Sequence, residues 1–393
     1  IIESTLFNNS NVDISLGKVN YECIKSSVYG SAQAGTVFLG LEGIDRDRLV
    51  HKIESPDCPR SSCIKAQFYE RDTQRALQVG FLTFKRLDTR VTYSYLSEID
   101  SICAFCDFQG WVLKAGQSTQ LETFTVASGD SPFTQLETWA DLAAKRSNPR
   151  KWVNNTPIGW LGGSWVDSFH DELYEETIIR NVEAIDRRLP GFGFGYVWVS
   201  ILNLENELPG NWLKWNYDNF PAGPESLIQK LADHNIKLGF WCGAFWICSA
   251  IEDMVEEYKD AFLRDTDGNI LITRDEWNFG RSADLPKGSR PCCYGLDPTH
   301  PKTLALLKDT FDTYRQWGIR YYMVDFIDSA IGNLGPYHYA DHFDKSIAAG
   351  PEAFHTALRV IRDSAGDDTY ILASTGPTVH NAGFADGIRT GTD

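Results

Sequence analysis

The chain has 393 residues, 42% of them hydrophobic and 13% aromatic, which is too long for one ordinary domain and too apolar for disorder. A formal net charge of −16 without clustered Lys or Arg excludes nucleic acid and other polyanions as partners. No run approaches the ~18 apolar residues of a membrane span, so no membrane partner is expected.

The N-terminus reads Ile1-Ile2-Glu3, with no Met and with neither the basic flank nor the apolar centre of a signal peptide, so a processed or partial chain is expected. Up to about Phe133, short β-type runs are broken by Gly, Asp and Ser: Thr36–Leu39, Cys63–Tyr69, Val91–Tyr95, Gly110–Lys114 and Thr119–Val126. Alternation at period two with turns between predicts an antiparallel β-sandwich over residues 1–131. From Pro132 to Lys145 the period changes, with Leu136, Trp139, Leu142 and Ala143 on one helical face and Pro149 as a stop, so residues 132–155 read as a helical linker.

Nine cysteines are a modest share for this length, and an odd number leaves at least one unpaired within the chain. Cys103 and Cys106 have metal-like spacing, but no second CxxC or His pair completes four ligands, so a pair of small hydrophobes on a strand or a disulfide is the better reading. The sequons at Asn8 and Asn154 are usable only in a secretory compartment. The compartment stays unassigned, with secretion favoured over the cytoplasm.

From Thr156 the rhythm becomes strand, loop, helix, with strands apolar enough to be buried on both faces, as in a parallel sheet. Strands are expected at Pro157–Leu161, Gly195–Leu202, Lys237–Gly243, Ile319–Asp325, Thr369–Ser374 and Asp386–Thr390. Helices are expected near Leu173–Leu189, Pro224–His234, Lys302–Trp317 and Pro351–Ala365. The fold class is therefore multidomain β plus α/β, with residues 156–393 forming a (β/α)8 TIM-type barrel truncated after its sixth strand.

Parallel barrels carry their chemistry at the C-terminal ends of the strands. Asp325 is the first carboxylate after the apolar run Tyr321–Val324, and Asp328 is a weaker candidate three residues on. Asp393 follows Arg389 at the end of the sixth strand, where the arginine would hold a carboxylate ionised. Two such carboxyls about 5 to 5.5 Å apart perform double displacement at an anomeric carbon, one attacking and the other acting as acid and then base. Twelve Trp residues, several of them in this half, suit sugar rings, whose C–H faces pack on aromatic planes. Trp246, just past the third strand, reads as the better platform, while Trp241 within that strand is as readily core.

Several motifs together resemble glycoside hydrolase family 36, the α-galactosidase and raffinose-synthase-like group. They are Pro157-Ile158-Gly159-Trp160 with Ser164-Trp165, Phe220-Pro221-Ala222-Gly223, and Ile236 to Trp241. They continue with Leu263-Arg264-Asp265, Asp267-Gly268, Leu296 to Pro301, Val324-Asp325-Phe326, and Gly383 to Asp386 with Arg389 and Asp393. The resemblance implies Asp325 as nucleophile, Asp393 as acid/base, Arg389 as the arginine that contacts nucleophile or substrate, and Trp277 as a subsite tryptophan. Trp160, Trp165, Trp241 and Trp246 join these as candidate substrate-binding residues, together with Asp328.

The departures fall on substrate recognition. The family's paired aspartates after strand two are replaced by Val199 to Asn203, the lysine two before the nucleophile by Met323, and the strand-five cysteine by Ser374 or Thr375. Glu205 and Glu207 are candidate substitutes for the missing pair. The expected activity is a retaining α-glycosidase acting on α-galactosides or a related α-linked sugar, without metal or cofactor. The alternatives are a transglycosylase using the same aspartates and a carbohydrate-binding barrel without turnover. An aldolase-type barrel is disfavoured because no strand ends in a well-placed Lys. The expected partner is an oligosaccharide or glycoconjugate, and a homo-oligomer is compatible with the sequence.

Overall fold

The computed structural model describes residues 1–25, 36–42, 50–53, 61–95, 99–162, 173–339 and 341–389. The chain divides into two compact units, the first comprising Ile1–Pro149 with Ile331–Pro336 and Asp344–His355. The second comprises Arg150–Ala330, Tyr337–Phe343 and Thr356–Asp393. No helix among the described residues is long and apolar enough to cross a membrane.

The first unit is built on antiparallel strands β1 (Lys18–Lys25), β2 (Val37–Glu42), β3 (Val50–Lys52), β4 (Ser61–Glu70), β5 (Arg75–Phe81), β6 (Asp88–Tyr95), β7 (Ile99–Asp107) and β8 (Phe124–Gly129). They run in the order β8-β5-β4-β6-β7-β1, with β2 on β4 and β3 on β2. Strand β4 pairs with β6 through Ser61–Cys63 and with β5 from Lys65 onward. Ile64 at the change of partner has a φ of 64°, a kink of the kind that lets one strand serve two layers. Ala66, Phe68, Leu77, Val79, Phe81, Val91, Tyr93, Ile102, Ala104 and Cys106 alternate into one apolar core, as a sandwich requires.

On the opposite face of the same strands Gln67 donates to the Gln78 side chain at 3.2 Å, and the Lys65 ammonium lies 5.5 Å from the Trp139 ring. Trp139 belongs to helix α1 (Pro132–Ser147), which starts on the Ser131 cap and ends on Asn148 in the left-handed region. Thr119–Val126, expected as one strand, is two, Ser118–Gln120 and Phe124–Gly129. Between them buried Glu122 turns its carboxylate to accept the N–H groups of Arg86 and Leu87 at 2.8 and 3.1 Å, which breaks the run. Cys106 is a free thiol in the core whereas Cys103 is disulfide-bonded, so the two do not act as a pair. The Asn8 amide is buried and donates to the carbonyls of Val12 and Leu113, so the first sequon cannot carry a glycan in this fold; Asn154 is exposed.

The second unit holds six parallel strands in sequential order: β9 (Gly159–Gly162), β10 (Tyr196–Val199), β11 (Lys237–Cys242), β15 (Tyr321–Val324), β16 (Tyr370–Ala373) and β17 (Gly387–Ile388). These are the six sequence-predicted strands, each shorter than expected. Helices α2 (Tyr174–Arg188), α3 (Gly223–Ala232), α5 (Pro301–Trp317) and α6 (Pro351–Ala365) fall between them, with short α4 (Glu252–Glu257) in the third loop. Helix α5 shows why the boundaries were readable: Pro301 opens it, the His300 ring caps it, and Gly318 closes it at φ 102°.

Register separates the two faces of this sheet. Val197, Leu238, Phe240, Tyr322 and Val324 share one face, and Phe240 and Tyr322 pack on Tyr314 of α5. Trp198, Gly239, Tyr321 and Tyr370 share the other, where Tyr321 and Tyr370 stack at 5.8 Å. A Cβ on Gly239 would lie 2.7 Å from the Tyr321 ring, so the glycine makes room for that layer. The long third loop folds into a three-stranded antiparallel sheet, β12 (Trp246–Cys248), β14 (Cys293–Gly295) and β13 (Ile272–Arg274), in the order β12-β14-β13.

Candidate active site

Asp325 directly follows β15 and is 6% exposed. Its N–H extends the ladder to the Cys242 carbonyl at 2.9 Å, which fixes the residue at the strand end. Its carboxylate accepts from the Trp241 indole N–H at 3.0 Å and from the Phe326 N–H at 2.9 Å. Burial excludes water that would compete with these two donors. Ser374 holds the equivalent position after β16, with its N–H on the Val324 carbonyl at 2.9 Å. Arg389 follows β17, with its N–H on the Ala373 carbonyl at 2.9 Å and a guanidinium nitrogen 3.5 Å from the Ser374 hydroxyl. Asp325, Ser374 and Arg389 thus form a row across three neighbouring strand ends.

Backbone strain gathers at the same ends. Ile201, Phe326 and Thr375 have φ values of 44°, 52° and 46°, and each lies two residues past the last residue of its strand. Non-glycine residues, two of them β-branched, hold this conformation at about 1–3 kcal/mol each, and such strain concentrates at working sites.

Aromatic rings surround the carboxylate. Trp246 stacks on Phe326 at 4.3 Å, and Trp277 lies 5.9 Å from Trp241 and 6.2 Å from Trp246. The Arg274 guanidinium stands over Phe326 and Phe279 at 5.5 and 5.1 Å. Trp246 and Trp277, the candidate platform and the candidate subsite tryptophan, are each only 1% exposed, Trp246 packed on Phe326 and Trp277 against Trp241, Trp246 and Phe279. Trp241 is also buried, and it meets the nucleophile candidate through its N–H rather than presenting a ring face. Trp160 is in register with Val197, on the face shared with Phe240 and Tyr322, which pack on Tyr314 of α5. Trp165 and Asp393 lie outside the described residues.

Asp328 is buried one short turn beyond Asp325, with its N–H on the Thr375 carbonyl at 3.2 Å. Tyr337 lies close enough to sense it: burial raises the Tyr337 hydroxyl, the Asp328 charge raises it further, and Arg274 opposes both. Arg274, Tyr337 and the partly exposed ring of Phe326 are site residues that sequence reasoning missed. Phe326 was detectable as the neighbour of Asp325 in the same motif; Arg274 ends the three-residue strand β13 and Tyr337 lies in an irregular loop, both too short on pattern to give a periodic signal.

The second-strand position carries no carboxylate pair. Glu207 is buried, and its side chain accepts the Arg281 N–H at 2.6 Å and an Asn219 amide hydrogen at 3.4 Å, so it holds loops together. Glu205 is exposed.

No protein-family model matches the chain. Solved structures do. The alpha-galactosidase from Thermus thermophilus, in complex with p-nitrophenyl alpha-D-galactopyranoside, superposes with a TM-score of 0.64 at 19% identity, covering 99% of this chain and 74% of that one. The alpha-galactosidase from Lactobacillus brevis gives 0.63 at 12% identity, covering 98% and 52%. A GH36 alpha-galactosidase from Geobacillus stearothermophilus, in complex with stachyose, gives 0.61 at 11% identity, covering 94% and 51%. The chain therefore spans about three quarters of the first and about half of the other two. By its tertiary structure, the chain has the fold of the GH36 alpha-galactosidases.

Proposed function

We propose that this chain is the catalytic part of a retaining α-glycosidase that acts on α-galactosides or a closely related α-linked sugar. The observation that carries the reading is Asp325: a buried carboxylate at the mouth end of the fourth parallel strand, held by an indole and an amide N–H among aromatic rings. The fold shared with alpha-galactosidases, one bound to an aryl α-galactoside and another to stachyose, supports an oligosaccharide partner. In the proposed reaction Asp325 attacks the anomeric carbon and Asp393, four residues past Arg389, protonates the leaving oxygen and then activates water. The six parallel strands are proposed as part of an eight-stranded (β/α) barrel.

Galactose selectivity is the weaker half of the proposal on physical grounds. A buried sugar hydroxyl without its partner costs about 1–3 kcal/mol, and the strand-two loop offers Ser200 and Asn203 in place of two carboxylates. That observation favours a second reading, a sugar-binding barrel with little turnover. The test is an aryl α-glycoside panel varied at C2 and C4, with and without an acceptor sugar. Turnover with retained anomeric configuration supports the hydrolase. Product appearing only with an acceptor supports the transglycosylase, and sugar binding with no turnover on any member supports the binding reading.

A further inference from the structure

Three free cysteines, Cys248, Cys292 and Cys293, lie in the third-loop sheet, and none is used by the proposed chemistry. Cys248 on β12 is the direct partner of Cys293 on β14. The ladder bonds fall on the flanking pairs: Ser249 donates its N–H to the Cys292 carbonyl and Leu296 donates to the Phe245 carbonyl, each at 2.9 Å. The Cys248 N–H goes instead to the Pro209 carbonyl at 2.8 Å. Cys248 and Cys293 are therefore a non-hydrogen-bonded antiparallel pair, whose Cα atoms are about 4.5 Å apart and whose side chains are closest. Disulfides span Cα separations of about 4.4–6.8 Å, so the bridge closes without moving the strands far.

We propose that Cys248 and Cys293 form an oxidisable dithiol that closes into a cross-strand disulfide on reaction with a peroxide. The Cys293 thiol donates to the Cys248 sulfur, which lowers the Cys248 pKa, whereas burial holds Cys293 well above the ordinary thiol value. Both residues are 0% exposed, so the oxidant is a small one such as hydrogen peroxide, with Cys248 as nucleophile and Cys293 as resolving thiol. The Cys248 thiolate attacks a peroxide oxygen and breaks the O–O bond, leaving a sulfenic acid and a hydroxide that takes up a proton. The Cys293 sulfur then displaces hydroxide from the sulfenic sulfur and loses its own proton, so that two thiols and hydrogen peroxide become a disulfide and two waters. Cys248 shares its strand face with Trp246, which stacks on Phe326, so the bridge ties together the two strands behind that wall of the site. This inference does not depend on the glycosidase reading.

The test treats the reduced protein with hydrogen peroxide, blocks remaining thiols with N-ethylmaleimide after denaturation, and maps the peptides. The expected product is a link between the peptides bearing Cys248 and Cys293, an unblocked mass lower by about 2 Da, and reversal by dithiothreitol. Cys293→Ala is expected to leave a dimedone-reactive sulfenic acid at Cys248, and Cys292→Ala to leave the link intact. Recovery of Cys248 and Cys293 as blocked thiols, or a link through Cys292 instead, would overturn the proposal. The unmutated protein decides this by itself should a variant fail to fold.

Discussion

The indole N–H of Trp241 meets the outer oxygen of Asp325 at 3.0 Å, so the third strand supplies the donor that orients the carboxylate of the fourth. The two residues are 84 apart in sequence and are brought together because parallel strands β11 and β15 pair in register, Trp241 opposite Met323.

Asp325→Ala removes the proposed nucleophile while leaving the strand and its ladder bond in place. Turnover of an activated aryl α-glycoside is expected to fall by roughly 10³-fold or more, as for other covalent nucleophiles. Retention of near-normal kcat by a folded variant takes Asp325 out of the mechanism.

Trp241→Phe keeps the ring in the wall and deletes the N–H. A hydrogen bond to a charged group is worth about 1.5–3 kcal/mol, so kcat/KM is expected to drop about 10- to 100-fold. An unchanged kcat/KM in the folded variant would mean that the indole N–H does not orient Asp325 and that Trp241 acts by packing alone.

Asp386 sits at the opposite, N-terminal end of β17 with a fully buried side chain. It accepts from Arg362 at 2.6 Å, from Arg150 at 2.5 Å and from the Ile371 N–H at 2.9 Å. Asp386→Ala leaves buried Arg362 without its carboxylate partner, whereas Arg150 keeps Asp367 at 2.6 Å, and urea unfolding is expected to show a loss of about 3–5 kcal/mol. A loss below 1 kcal/mol would place the ion pairs among those that add little.

Lys65 is 3% exposed, and burial lowers its pKa from the ordinary 10.5 to about 8. Between those values the unfolded chain binds the extra proton, so stability rises with pH across that window and the full penalty is present below it. Lys65→Met is expected to stabilise the protein at pH 7 by up to about 3 kcal/mol, less the lost contact with Trp139, and to flatten the rise. Denaturant midpoints at pH 7 and pH 10 on both proteins check the sign; a variant that is less stable at pH 7 contradicts it.

Gly239→Ala would push a methyl to within 2.7 Å of the Tyr321 ring. Overpacking of this kind costs about 1–3 kcal/mol, and thermal unfolding is expected to show it without loss of secondary structure. A neutral result would mean that the Tyr196, Tyr321 and Tyr370 layer can shift.

Much of the second unit was legible because its signals are local. Six buried strands and the helices between them announce themselves by apolar runs and by Pro and Gly stops such as Pro301 and Gly318. Strand β5 was not seen although its signal is present, with Leu77, Val79 and Phe81 alternating into the core while Gln78 and Gly80 lie on the face under α1. Thr119–Val126 was read as continuous because nothing local shows that Glu122 will turn inward to cap Arg86 and Leu87.

The sequence alone placed Asp325 at the end of a buried strand, since strand period and the first following carboxylate depend only on neighbours along the chain. Tertiary structure decided which tryptophans are buried, that Trp160 shares a face with Phe240 and Tyr322, and that Arg274 and Tyr337 join the site. Those outcomes depend on strand register and on where long loops return, which contacts between distant residues fix and no local pattern encodes.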